Sequence, residues 1–301
     1  MPETGTQSVR SRWEQLNEST QEKLASKAYP EEKVEPFLRF RAAVDAKVLQ
    51  HRVITQNPYS SWFARGEFDA EEARRFIVQF SVFSNEFLVA QLRKMLNADS
   101  LAEMRASKEI LANEIGVTFK AAGRKSPGGH GTGDSQELGD LTGTVNGGTF
   151  RFRAAHFELL VRMAEHLGLA FTGMGKRCLG TASTLFFCDE LLRLYGSDNY
   201  ATATASSFAV ENWAAAGFWD ELVTGWKAFA RRECPELPLV FFSWHAQIEA
   251  NHAHHTREEL ETYYFTHDVD EQAFIHSANE MLDGVMVFWE GLAAGRPDGT
   301  D

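Results

Sequence analysis

The stretch LVFFSWHAQIEANHAHH, residues 239–255, decides how the chain folds and where its chemistry sits. Its apolar spacing predicts a helix, on which His245, Glu249 and His252 fall at i, i+4 and i+7 and point the same way. Phe241, Phe242 and Ile248 lie on that same stripe, so ionisable groups occupy the face that a helix turns toward its core. Buried unpaired, such groups cost several kcal/mol. A divalent metal that takes imidazole nitrogen and carboxylate oxygen together offsets that cost, and two histidines with one carboxylate form the donor set suited to non-haem iron. Taken alone, the triad fits a single metal. The plain alternative is an exposed His-rich helix end, since His254 and His255 follow directly.

The same period runs through most of the chain. Phe37, Phe40, Val44 and Val48 recur at helical spacing from Pro36 until Asn57-Pro58 breaks the pattern. Asp69 with Glu72, Ser100 with Glu103 and Asp268 with Glu271 match the capping box that opens a helix. Further helical patterns cover 150–167, 178–195, 199–230 and 239–260, and no alternating run of strand length with hairpin turns appears. The expected class is all-α. Residues 1–35 are polar and charged and read as an arm with an early helix, ahead of one helical domain over 36–295. Within it, residues 120–149 turn glycine-rich and small, with little to bury. They read as a flexible insert, with a functional lid as the alternative.

With 301 residues the chain is long enough for a large core, and a net charge of −12 argues against a nucleic-acid partner. No segment approaches the ~20 apolar residues of a membrane span, and the first residues lack a signal-peptide core, so a cytoplasmic protein acting on a small molecule is expected. Cys178, Cys188 and Cys234 have neither disulfide nor CxxC arithmetic and read as reduced structural thiols.

Other helices offer further donors. Glu211 shares a face with Phe208, Ala215 and Leu222; Glu114 closes the helix opened at Ser100, just before Gly116; His156 falls on the stripe of Leu159, Leu160 and Met163. The bland readings are a surface carboxylate, a helix-end carboxylate and a core histidine. Glu86 reads as structural. With the first triad these give enough donors for two metals. A ferritin-like bundle would need an ExxH pair on each of two helices. Only Glu249–His252 has that spacing, so a different helical scaffold is required.

From about residue 40 to 292 the chain resembles the haem-oxygenase-like di-iron oxidases, relatives in fold of the thiaminase-type TenA and pyrroloquinoline-quinone-forming PqqC proteins. The last metal helix of that family looks like F-x2-H-x3-D/E-x2-H, matched by Phe242, His245, Glu249 and His252. Its middle carboxylate helix is matched by Glu211, and its first pair by Glu114 in NEIG and His156 in HFELL…HLGL. The segment from Asn57 to Leu92 is similar to its first helices, which carry no ligands. The resemblance implies a haem-oxygenase-like bundle of about seven core helices. It also implies two Fe(II) ions held by Glu114, His156, Glu211, His245, Glu249 and His252, with O2 as co-substrate. The substrates it implies are amino acids, amines or fatty acids. The outcomes are N-oxygenation, C–C cleavage or oxidative decarboxylation in specialised metabolism, with an external electron donor among the partners. A homodimer is the default assembly. A metal-free TenA/PqqC-like enzyme and a non-catalytic helical protein that binds metal or a partner are the alternatives.

Overall fold

The computed structural model describes residues 12–121, 148–152 and 154–296. The longest early helix shows why these residues fold as they do. Asp69 opens it, accepting the N–H groups of Glu71 and Glu72 at 2.8 Å each, while Glu72 Oε2 accepts the Asp69 N–H at 2.9 Å. From this capping box Ala70–Leu96 runs 27 residues, burying Ala73, Phe76, Ile77, Phe80 and Phe83 on one stripe.

In chain order the helices are α1 (Glu18–Ala25), α2 (Val34–Lys47), α3 (Pro58–Phe63), α4 (Ala70–Leu96), α5 (Leu101–Glu114), α6 (His156–His166), α7 (Ala182–Glu190), α8 (Tyr200–Ala214), α9 (Phe218–Glu233), α10 (Val240–Thr266) and α11 (Glu271–Ala294). A single turn, Arg52–Thr55, precedes α3, and a π-helical turn, Leu191–Tyr195, continues α7. The class is all-α. α11 packs against α7 and α8, and α10 against α8 and α9. Between them lies an aromatic core in which Trp226 meets Phe63 at 5.2 Å, Phe68 at 5.3 Å and Phe242 at 5.7 Å between ring centroids. No helix among the described residues is long and apolar enough to cross a membrane.

The structure corrects four expectations. The 199–230 pattern is two helices, because Gly217 adopts φ 91 and breaks the chain between Ala214 and Phe218. The last helix is capped by Asp270, which accepts from the N–H groups of Gln272 and Ala273, and not by Asp268. A strand pair does exist: β1 (Val117–Ala121) and β2 (Gly148–Phe152) run antiparallel, with Ala121 opposite Gly148 and Val117 opposite Phe152. The helix expected from residue 150 therefore starts at His156. From residue 12 onward the polar N-terminal segment carries the early helix α1 and packs on the rest of the molecule. Leu16, Leu24, Tyr29 and Val34 are buried in the common core. Glu261 on α10 accepts the Asn17 N–H at 3.0 Å, and Lys33 Nζ donates to the carbonyls of Tyr264 (2.9 Å) and His267 (2.6 Å).

Candidate metal centre

α5 ends at Glu114 because Gly116, at φ 71, takes the left-handed conformation that closes a helix. β1 begins three residues after Glu114, and β2 ends four residues before His156. Their antiparallel register therefore carries the chain out and back, and the start of α6 returns to the end of α5. The glycine-rich insert between Ala121 and Gly148 lies outside the described residues, but the pairing of the strands that flank it already brings the two donors together. His156 Nδ1 lies 2.7 Å from Glu114 Oε2, with the two side chains 8% and 22% exposed.

The third donor comes from α10. His245 is buried, and its Nδ1–H donates to the Phe241 carbonyl at 2.6 Å. That bond sets the tautomer, so in the neutral ring Nε2 carries the lone pair. The imidazole is stacked on Trp219, with centroids 4.6 Å apart and planes at 16°, and lies edge-on to His156 at 5.1 Å. Trp244 closes the other side, 4.3 Å from His156. One donor atom from each of Glu114, His156 and His245 falls within 4.8 Å of the others.

Two donors that each sit about 2.1 Å from one ion, at right angles, are about 3 Å apart. The Glu114–His156 separation suits that arrangement as well as a hydrogen bond. Two imidazoles and a carboxylate, largely buried and walled by Trp219, Trp244 and Phe241, therefore fit a divalent transition metal.

Glu211 is not one of these three. It stands half-buried on α8, where its charge acts on Tyr195 and Lys94. Glu249 and His252 follow His245 along the continuous helix α10, but their side chains lie outside the described residues. Glu86 accepts a hydrogen bond from Arg177 at 3.2 Å, and Arg177 also reaches Asp189 at 2.7 Å, consistent with a structural part.

The sequence reading missed a polar array beside the donors. Lys94 Nζ donates to Ser207 Oγ at 2.5 Å and lies 5.1 Å from the centre of the Tyr195 ring. The Tyr195 hydroxyl donates to Gln91 Oε1 at 2.5 Å, and Gln91 Nε2 donates to the Ser107 carbonyl at 3.1 Å. Burial lowers the Lys94 ammonium pKa, opposed by Glu259, Glu211 and Glu103. Burial also pushes the Tyr195 phenol well up, with Glu211 adding to the effect. The π-helical turn that delivers Tyr195 is itself a feature frequent at functional sites. A signal was present in LVAQLRKML, where Gln91 falls on the buried side of α4.

Two solved structures share this architecture. Both are described as a CADD-like protein of unknown function from Nostoc punctiforme. One is 16% identical with a TM-score of 0.55, covering 86% of this chain and 94% of its own. The other is 17% identical with a TM-score of 0.57, covering 86% and 97%. The likeness is one of fold. No family model matches the chain, and no curated protein matches it.

Proposed function

We propose that the protein is a non-haem di-iron oxidase or oxygenase that uses O2 to oxidise a small organic substrate. The observation that carries this reading is the convergence of Glu114, His156 and His245, from three separate helices, on one largely buried point. The all-helical fold shared with the Nostoc punctiforme protein and the sequence pattern around Glu211, Glu249 and His252 support it. Bound there, Fe(II) would supply the electrons that O2 needs to react with an organic molecule.

The chain's own residues have definable tasks. Phe241 holds His245 in one tautomer through its carbonyl, and Trp219 fixes the plane of that ring. The 2.7 Å contact between His156 Nδ1 and Glu114 Oε2 holds these two side chains in place beside each other. Trp219, Trp244 and Phe241 exclude water, which strengthens every electrostatic interaction inside the site.

Loading the purified protein with Fe(II) and counting metal tests the reading. About two irons per chain, with iron-dependent O2 consumption, is the expected result. His245→Ala and Glu211→Ala should each abolish that consumption while helix content by circular dichroism stays the same. A chain active without metal would overturn the reading. A single iron would restrict the site to Glu114, His156 and His245, itself a two-histidine, one-carboxylate set.

A further inference from the structure

A cavity of about 840 Å³ opens between the C-terminal half of α10, the first turns of α5 and α8, and the end of α4. Its lining carries four carboxylates, Asp99, Glu103, Glu258 and Glu259, against one ammonium, Lys94. An excess of one sign in a walled cleft concentrates ligands of the opposite sign and repels anions.

The carboxylates have aromatic company. Tyr200 and Tyr263 meet edge to face at 5.6 Å, and the His267 ring lies 5.2 Å from the first and 4.9 Å from the second. Asp99 and Glu103 stand against them: after burial, these two carboxylates are what raise the Tyr263 phenol pKa, and a hydrogen bond with Glu103 raises that of Tyr200. One oxygen of Glu103, Oε2, is buried with no hydrogen-bond partner. A buried carboxylate oxygen left this way carries an uncompensated desolvation cost, which an incoming N–H donor would remove. Tyrosine faces beside paired carboxylates form a setting that attracts organic cations through both ring quadrupole and charge.

We propose that this cavity is an organic-ammonium site, in which Glu103 and Asp99 hold the cationic head of an alkylamine against the rings of Tyr200 and Tyr263. The inference rests on the oxidase reading in one respect, the direction in which the ligand points. Lys94 and Ser207 line one part of the cavity, and Ser207 lies one helical turn before Glu211 on α8. An amine anchored at Tyr200, seven residues or about 10 Å further back along that helix, directs its far end toward Glu211, which the oxidase reading makes a metal ligand. Among the substrate classes that the sequence resemblance implies, amines then fit and fatty acids do not, because a carboxylate head would meet Asp99 and Glu103.

Calorimetric titration of the full-length protein with hexylammonium, and separately with hexanoate, tests the site with and without added iron. Hexylammonium should bind saturably and at least about tenfold more tightly than hexanoate. Glu103→Gln should weaken hexylammonium binding about tenfold, and Asp99→Asn, an exposed position that leaves the core untouched, several-fold. Hexanoate binding as tightly as hexylammonium would overturn the proposal. So would unchanged hexylammonium affinity in both variants. Iron content measured on the same samples keeps the two readings apart: a chain that binds hexylammonium but no iron defeats the metal centre and leaves the ammonium site standing.

Discussion

The two halves of α4 behave as different materials. Its first half puts Phe76, Phe80 and Phe83 into a dry aromatic packing, where Phe76 lies 5.9 Å from Trp226 and Phe80 5.7 Å from Phe242. Its second half, three turns on, buries Gln91 and half-buries Lys94, tied to Tyr195, Ser107 and Ser207 by hydrogen bonds. One helix thus anchors the core at one end and builds a polar wall beside the candidate site at the other. The difference shows where stability and chemistry are separated. Apolar rings gain free energy from burial itself, whereas buried polar groups cost free energy to the extent that they lack partners.

The aromatic half should be the more sensitive to truncation. Trp226→Ala removes a fully buried ring that touches Phe63, Phe68, Phe76, Phe229 and Phe242, and should cost about 3–5 kcal/mol in denaturant unfolding. A loss below about 1 kcal/mol would erase the contrast between the two ends.

Overpacking probes the same end more gently. At Gly225 an added Cβ would stand 2.1 Å from the Phe63 carbonyl oxygen, where α9 crosses α3. Gly225→Ala should therefore cost about 1–3 kcal/mol by the same measurement, through forced separation of two backbones.

At the polar end the effect is smaller and depends on pH. Burial lowers the Lys94 pKa in the folded protein, so between that value and the unfolded value of about 10.4 the unfolded chain binds more protons. Stability contributed by this group therefore rises as pH increases through that window. Lys94→Met should lose the rise, and comparing unfolding free energies of the two proteins over alkaline pH isolates it from other titrations.

The mildest change is predicted for the insert. Ala121 and Gly148 face each other across the hairpin, so replacing residues 124–147 by a short Asn-Gly turn should alter stability by no more than about 1 kcal/mol. Iron retained with substrate turnover lost would make the insert a lid.

Periodicity made most helices legible, because a core-facing stripe repeats every three to four residues regardless of what it packs against. Asp69 with Glu72 was legible for the same local reason. Gly217 was not, since a lone glycine inside an apolar pattern reads as helix until the chain is seen to turn. The strand pair escaped because VTFKA and GTFRF alternate over only five residues each and are separated by a long glycine-rich segment instead of a tight hairpin turn. Glu114, His156 and His245 could each be singled out on their own helices. Trp219, Trp244, Tyr195 and Lys94 could not, because an aromatic on an apolar face reads as core and a lysine near a helix end reads as surface.

The sequence by itself determined the helical class and the capping of α4 and singled out the three candidate donor side chains, all of which depend on neighbours a few residues away. Only the tertiary structure decided that Glu114 and His156, 42 positions apart, lie 2.7 Å from each other, and that Lys94 faces a cavity rather than water. The reason is physical: helix periods and caps are local energies written within one turn. Convergence of donors instead depends on how a hairpin returns the chain and how ridges of separate helices pack, and those terms act between residues distant in sequence.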